Sequence, residues 1–296
     1  MENKQSSLLS RRQALKSLAA LTAGTLIKPS SLFASAAARS KTRFVVMGDF
    51  GTGGSDELAI ARKMAELHQQ SPLDFVLSAG DNIYPNGAGH LFARNFEQPF
   101  ADLLRQEVKF YTVLGNHDVE AGRRDQMHYP LFNMDGANYY MMGRGNGLVD
   151  FFMLDSTDFD NQQTNWLENQ LAQSKALWKV AVFHHPIFSS GKKHGSDARL
   201  RQRIEPLLKK HSVQVVFSGH DHVYERVKPQ DGIQYFVSGG AGKVRRGDIR
   251  ADSAISAASY DDDNHFMLIE LDEKEIAFKA ISKDGAVVDN GVIRQS

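Results

Sequence analysis

Residues 110–118 read Phe110-Tyr111-Thr112-Val113-Leu114-Gly115-Asn116-His117-Asp118, an apolar run that breaks at one glycine into an amide, an imidazole and a carboxylate. The run has the aromatic and β-branched composition of a buried strand. In α/β sheets, functional side chains collect at the carboxyl ends of strands. The polar triplet is therefore a candidate site. The same grammar recurs along the chain. Residues 43–47 lead into Gly48-Asp49-Phe50-Gly51, and 75–77 lead towards Gly80-Asp81-Asn82-Ile83-Tyr84. Residues 179–183 run into His184-His185-Pro186, and 213–217 end at Gly219-His220-Asp221-His222. Five strands that each deliver Asp, Asn or His can converge on one crevice, with glycines turning the backbone sharply after each strand.

Between these strands the apolar spacing predicts helices over 57–70, 91–100, 164–173 and 199–210. A strand pair is expected at 139–142 and 149–154, and further strands at 234–237, 266–271, 276–281 and 287–293. Alternating β and α in the first half, then mostly β, predicts an α/β fold of two packed sheets with helices outside. No linker or repeat divides residues 39–296, which read as one domain.

Composition narrows the chemistry. The chain has 296 residues, no cysteine and zero formal net charge. Disulfides, thiolate zinc sites and cysteine nucleophiles are excluded. Leaving out residues 1–36, the remainder carries 30 basic and 34 acidic side chains. A mildly acidic body has no electrostatic reason to bind nucleic acid or an anionic membrane.

Ser10-Arg11-Arg12-Gln13-Ala14-Leu15-Lys16 resembles a twin-arginine export signal, with Ala14 where that pattern prefers Phe. The apolar run at 18–27 is too short to span a bilayer core of ~30 Å. Ala34-Ser35-Ala36, or the alanines at 36–38, supply a cleavage site. Residues 1–38 are thus expected to be a signal peptide. The twin-arginine translocation machinery would be a transient partner, and the mature protein would be periplasmic or secreted and membrane-free. Folding before export lets a protein take up its metals before it meets the mixture outside, where raw affinity would decide.

Carboxylate, amide oxygen and imidazole together suit Fe, Mn, Zn or Ni. Two metals ~3.5–4 Å apart need a bridging ligand, which a carboxylate can be. On these motifs, the sequence from about Arg43 onwards resembles the calcineurin-like metallophosphoesterases. Within them it is similar to the purple acid phosphatases, especially the small tartrate-resistant kind. The likeness extends to Phe152-Met153-Leu154-Asp155 and Trp166-Leu167. It implies a four-layer fold of two mixed β-sheets flanked by helices. It further implies Fe(III) held by Asp49, Asp81, Tyr84 and His222, and Fe, Zn or Mn held by Asp81, Asn116, His184 and His220, with Asp81 bridging. Gly51 stands where nuclease-like relatives carry a histidine, and Tyr84 where purple acid phosphatases carry their tyrosine. The fourth motif offers two histidines. The ligand two residues before Pro186 is His184, which leaves His185 as a neighbour.

The implied reaction is hydrolysis of small phosphate monoesters by a hydroxide held on the two metals. His117 and His194 would contact phosphate or protonate the leaving oxygen. Phosphodiester hydrolysis, peroxidase-like redox chemistry of a di-iron centre, and a non-catalytic module on the same fold are the alternatives. Lys243, Arg245, Arg246 and Arg250 read as a solvated face or as a patch steering anionic substrate. The short spacing from Asp155 to Trp166 implies that a long loop of the tartrate-resistant kind is missing, which leaves the site open. His68 and His211 read as solvated, and His90, His128 and His265 carry no motif.

Overall fold

The computed structural model describes residues 41–295. The expected signal segment lies outside the described residues. Thirteen strands form two sheets: β1 (Thr42–Met47), β2 (Phe75–Ser78), β3 (Lys109–Thr112), β4 (Tyr140–Arg144), β5 (Val149–Met153), β6 (Trp178–Val182), β7 (Val215–Ser218), β8 (Tyr224–Val227), β9 (Gln234–Ser238), β10 (Ser256–Tyr260), β11 (His265–Leu271), β12 (Glu275–Ser282) and β13 (Val287–Arg294). The first sheet runs β13-β12-β11-β1-β2-β3 and the second β10-β8-β9-β7-β6-β5-β4. Both are mixed. β1, β2 and β3 are parallel, and so are β5, β6, β7 and β9, while β11–β13 and the outer strands of the second sheet are antiparallel.

The strands are apolar on both faces because both faces are covered. In β1, Phe44 and Val46 face the second sheet with Phe75, Phe151, Val180 and Phe217. Their neighbours Val45 and Met47 face outwards onto Ile60, Met64 and Phe96. On the far side, Ala181, Phe183 and Val216 pack beneath Leu167, Leu171, Leu200, Ile204 and Leu208. The helices supplying these covers are α1 (Ser55–Gln70), α2 (Ala101–Arg105), α3 (Asp118–Ala121), α4 (Arg123–Met127), α5 (Asn161–Gln173) and α6 (Ala198–Lys210). The result is the α/β four-layer arrangement expected from the motifs. Between the sheets Phe44 stacks on Phe75 with centroids 4.9 Å apart, and Phe151 meets both edge-on. Such pairs add ~0.5–1.5 kcal/mol beyond their buried area.

One expected helix is replaced. Instead of a continuous α-helix over 91–100, a 3₁₀ turn at Gly89–Leu91 passes into a π turn at Ala93–Glu97, and α2 begins only at Ala101. Pro99 is the reason. It has no N–H for the ladder, and in an α-helix its ring would press on the carbonyl four residues earlier. The widened turn, closed by Gln98 N–H to the Ala93 carbonyl at 2.9 Å, accommodates it. β8 and β10 were not foreseen, because Tyr224-Glu225-Arg226-Val227 and 256–260 lack an apolar run.

Candidate metal centre

The loops that leave β1, β2 and β3 meet those that leave β6 and β7. Asp49 N–H bonds the Gly80 carbonyl at 2.9 Å, and His220 N–H bonds Asp49 Oδ2 at 2.9 Å across the two sheets. Three candidate ligands turn the chain themselves, with left-handed φ of 57° at Asp49, 52° at Asp81 and 69° at His220. Such backbone costs about 1–3 kcal/mol per residue and concentrates at functional sites. This corrects the role given to the glycines. Of those preceding the ligands, Gly80 alone has positive φ (90°). Gly115 and Gly219 instead make room: a Cβ there would lie 2.2 Å from Asp81 Oδ1 and 2.4 Å from Asp49 Oδ2.

All seven candidate ligands come together, in two groups. In the first, the Tyr84 hydroxyl lies 2.9 Å from Asp81 Oδ2, 3.2 Å from Asp49 Oδ1 and 3.3 Å from His222 Nε2. His222 Nε2 is 3.4 Å from Asp49 Oδ1. In the second, His184 Nε2 lies 3.1 Å from Asn116 Oδ1, 3.2 Å from His220 Nδ1 and 3.5 Å from Asp81 Oδ1. Asp81 thus turns one carboxylate oxygen to each group. Donor atoms ~2.0–2.2 Å from one cation are separated by roughly 2.8–3.6 Å, from octahedral to tetrahedral geometry, and the observed spacings fall in that range.

Hydrogen bonds account for only part of this convergence: His220 Nδ1 can donate to His184 Nε2, but Asn116 Oδ1 and His184 Nε2 are both acceptors and lie 3.1 Å apart. His184 Nδ1 donates to the Ala79 carbonyl at 2.9 Å, so Nε2 of the neutral ring is a lone pair. That lone pair faces an amide oxygen, a carboxylate oxygen and a second imidazole nitrogen. Burial first, then mutual repulsion, pushes the Asp49 carboxyl up, and burial does the same to Asp81. Burial first, then neighbouring imidazoles, holds His184 and His220 below the usual histidine range. His222 is pushed down to about 4 by burial, then by Arg245 and Lys243. Burial and the Asp49 and Asp81 charges push the Tyr84 phenol up. Each group is driven towards its neutral form by its protein surroundings. A bound cation reverses the bias on the acids and needs the neutral imidazoles. The residues fit a di-metal centre.

The ligands are held from behind. Asp118, buried, accepts from Gly115 N–H, Ile83 N–H, the Asn82 backbone and side chain, and Gln126 Nε2, which ties the β2 and β3 loops together. Burial, then the Asp81 charge, raises it to about 7. Asn95, in the π turn, donates to the carbonyls of Gly51 and Tyr84 at 2.9 and 2.8 Å. Asp118 and Asn82 adjoin the motifs and were findable there. Asn95 gave no sequence signal, because its place depends on the π turn.

Both histidines expected near substrate are beside the groups. His117 donates its backbone N–H to Asp81 Oδ1 at 2.9 Å and rests its ring on Tyr84 at 4.7 Å. Its Nδ1 bonds the Pro85 carbonyl at 2.6 Å, which leaves Nε2 free. His194 lies over His220 with centroids 4.1 Å apart. Asp221 fixes its loop, accepting from Gly195 N–H at 3.1 Å and from the Ser189 hydroxyl. His185 does not replace His184: it shares a hydrogen bond with Ser156 at 2.9 Å. Its ring nonetheless lies 4.5 Å from His220, and His184, His185 and His220 form a three-imidazole cluster. His185, His194, Lys193 and His220 line a cleft of about 320 Å³ beside the second group. The basic run divides. Arg246 bonds the Asp262 carbonyl and Arg245 pairs with Asp248 at 3.4 Å with its charge felt at His222, whereas Lys243 lies over the Tyr84 ring. His265, left without a role by the sequence, is fully buried beneath Gly240.

Calcineurin-like phosphoesterase is the family description that matches residues 42–224. Purple acid phosphatase 17 of Arabidopsis thaliana is 32% identical over 237 residues, covering 70% of each chain. Tartrate-resistant acid phosphatase type 5 of Rattus norvegicus is 28% identical over 290 residues, covering 83% of this chain and 88% of that one. Among solved structures, GAP50, the anchor in the inner membrane complex of Plasmodium, superposes with a TM-score of 0.76 at 22% identity, over 86% of this chain and 89% of that one. That likeness is one of fold, and function rests on the side chains at the strand ends.

Proposed function

This chain belongs to the calcineurin-like phosphoesterases and, within them, to the purple acid phosphatases, and we propose that its metals are held by the two groups that share Asp81. It is a di-metal acid phosphatase, a metal-dependent phosphomonoester hydrolase. Asp49, Asp81, Tyr84 and His222 are proposed for Fe(III), because two carboxylates and a phenolate are hard, anionic donors. Asp81, Asn116, His184 and His220 are proposed for Fe, Zn or Mn. The observation that carries the assignment is the convergence of His184 Nε2, Asn116 Oδ1, His220 Nδ1 and Asp81 Oδ1, in which the amide oxygen faces the Nε2 lone pair because the other His184 nitrogen is committed to Ala79.

When bound, the two cations supply neutralisation of the phosphate dianion and an acidified water. The protein's own contribution is orientation and proton delivery. Asp81 fixes the spacing of the two groups through its two oxygens. His117 holds its ring by the Pro85 bond, which leaves Nε2 of the imidazolium form as the proposed proton donor to the leaving oxygen. His194, on the rim of the neighbouring cleft, is proposed to contact the phosphate or its leaving group. The chain is further proposed to be exported folded by the twin-arginine route, a reading supported by residues 10–38 alone.

Metal content and turnover of a phosphate monoester and a phosphate diester test the reading together. Two equivalents of metal and a monoester preference are expected. His117→Ala should slow turnover ~10²–10⁴-fold at unchanged metal content. Full activity after complete metal removal, or equal activity in His117→Ala, would sink it.

A further inference from the structure

Residues 239–245 form a strap across the first group. At one end Ala241 N–H bonds the Gly48 carbonyl at 3.2 Å and Gly242 N–H bonds the Asp49 carbonyl at 2.9 Å. At the other, Arg245 N–H bonds the His222 carbonyl at 3.0 Å. Asp49 and His222 are both candidate ligands of the first metal, so the residues between them are fixed at its edge. The strap lies too close for side chains: a Cβ at Gly242 would sit 2.3 Å from the Phe50 carbonyl oxygen, and one at Gly239 2.3 Å from the Asp221 carbonyl oxygen. Lys243 follows at once. Its ammonium lies 3.4 Å from the centroid of the Tyr84 ring. Among the described residues no carboxylate is within ion-pair distance of it, and the nearby charges acting on it are Asp49, Asp81 and Arg245. The aromatic face is thus its closest partner, in a half-buried setting where such contacts are stronger than at an exposed surface.

A cation over an aromatic ring is attracted more strongly as the ring gains negative charge. Once Tyr84 ligates as a phenolate, the same ammonium faces an anion rather than a quadrupole. It then lowers the energy of the ring's highest occupied electrons. We propose that Lys243 is a positioning residue for the first metal, its ammonium holding the Tyr84 ring in place and lowering the energy of the electrons that Tyr84 would share with the ferric ion. The proposal rests on the assignment of Tyr84 as a ferric ligand.

Phenolate-to-iron charge transfer reads those electron energies directly. In the iron-loaded, oxidised protein, Lys243→Met should move the visible band to longer wavelength, because the phenolate electrons rise when the cation leaves. Lys243→Arg, which keeps a cation able to stack on the ring, should return the band to near its original position. Iron content measured on the same samples separates a shift from a loss of metal. An identical band position in wild type and Lys243→Met would overturn the proposal. So would a shift that Lys243→Arg fails to reverse, which would point to packing rather than charge. Iron-replete, oxidised wild type with no visible band would overturn the Tyr84 assignment itself, and the Lys243 role with it.

Discussion

The two halves of the metal centre are built from different materials. The first group is anionic and enclosed: Asp49 and Tyr84 are almost fully buried, and a backbone strap crosses it. Beyond the shared Asp81, the second group is neutral. It consists of one amide and two imidazoles, flanked by His185 and His194 and opening onto a solvent-lined cleft. An enclosed anionic cage retains a trivalent ion, because expelling it would leave like charges buried together. A neutral, accessible set follows metal availability instead. The first site is thus expected to be a fixture and the second to be exchangeable.

Removing the shared element should do most damage. Asp81→Ala takes an oxygen from each group, and turnover should fall on the order of 10³-fold or more. Metal analysis should show both sites affected; a variant that keeps two equivalents and normal rate would contradict the bridge. Next comes His220→Ala, which touches the second group only. Activity should drop by about 10²-fold, with the visible colour of the oxidised iron form retained. Colour lost along with activity would mean that the two groups are not separable. The converse is Tyr84→Phe, which keeps the ring and loses only the ligating oxygen. The band should vanish while activity falls by about tenfold, since three ligands remain. A retained band would place the chromophore elsewhere.

A separate effect concerns stability, rather than turnover, on the first group's side. His265 packs under Gly240 of the strap; burial holds it down to about 4 against an ordinary 6.5, and its Nε2 has no partner. In the fold it stays neutral, whereas the unfolded chain takes up a proton below pH 6.5. The stability this neutral ring carries is complete above pH 6.5 and lost as pH falls from there towards 4, about 3 kcal/mol at most. His265→Gln should flatten that part of the stability-against-pH curve. Equal acid sensitivity in both proteins would assign the loss to other groups.

What could be read without coordinates followed from how local each signal is. The five strand ends were legible because a strand's composition and the ligand after it lie within ten residues. Choosing His184 over His185 needed the family resemblance as well, which sets the ligand two residues before the proline. Asn95 was illegible because Pro99 turns a helix period into a π turn, and propensity does not count hydrogen bonds. The strap was illegible for another reason. Gly239–Gly242 looks like any glycine-rich turn until Asp49 and His222 are found at its two ends. Lys243 accordingly read as one charge in a solvated run, although the fold lays it on a candidate ligand.

β1 lies between β2, its near neighbour in sequence, and β11, whose residues begin at His265. Thr42 pairs with Leu271, and the Asp49 carboxylate accepts from the backbone of His220. The first ligand to be synthesised is therefore positioned by some of the last residues. Long-range pairing of this kind makes folding slow relative to local assembly. A growing chain emerging amino-terminus first holds Asp49 and Asp81 long before it holds His220 and His222. Until the carboxyl-terminal strands close the sheet, the half-made centre has carboxylates without imidazoles and can only bind metals loosely. Metal uptake is thereby expected to follow the closing of the first sheet by β11 rather than to precede it.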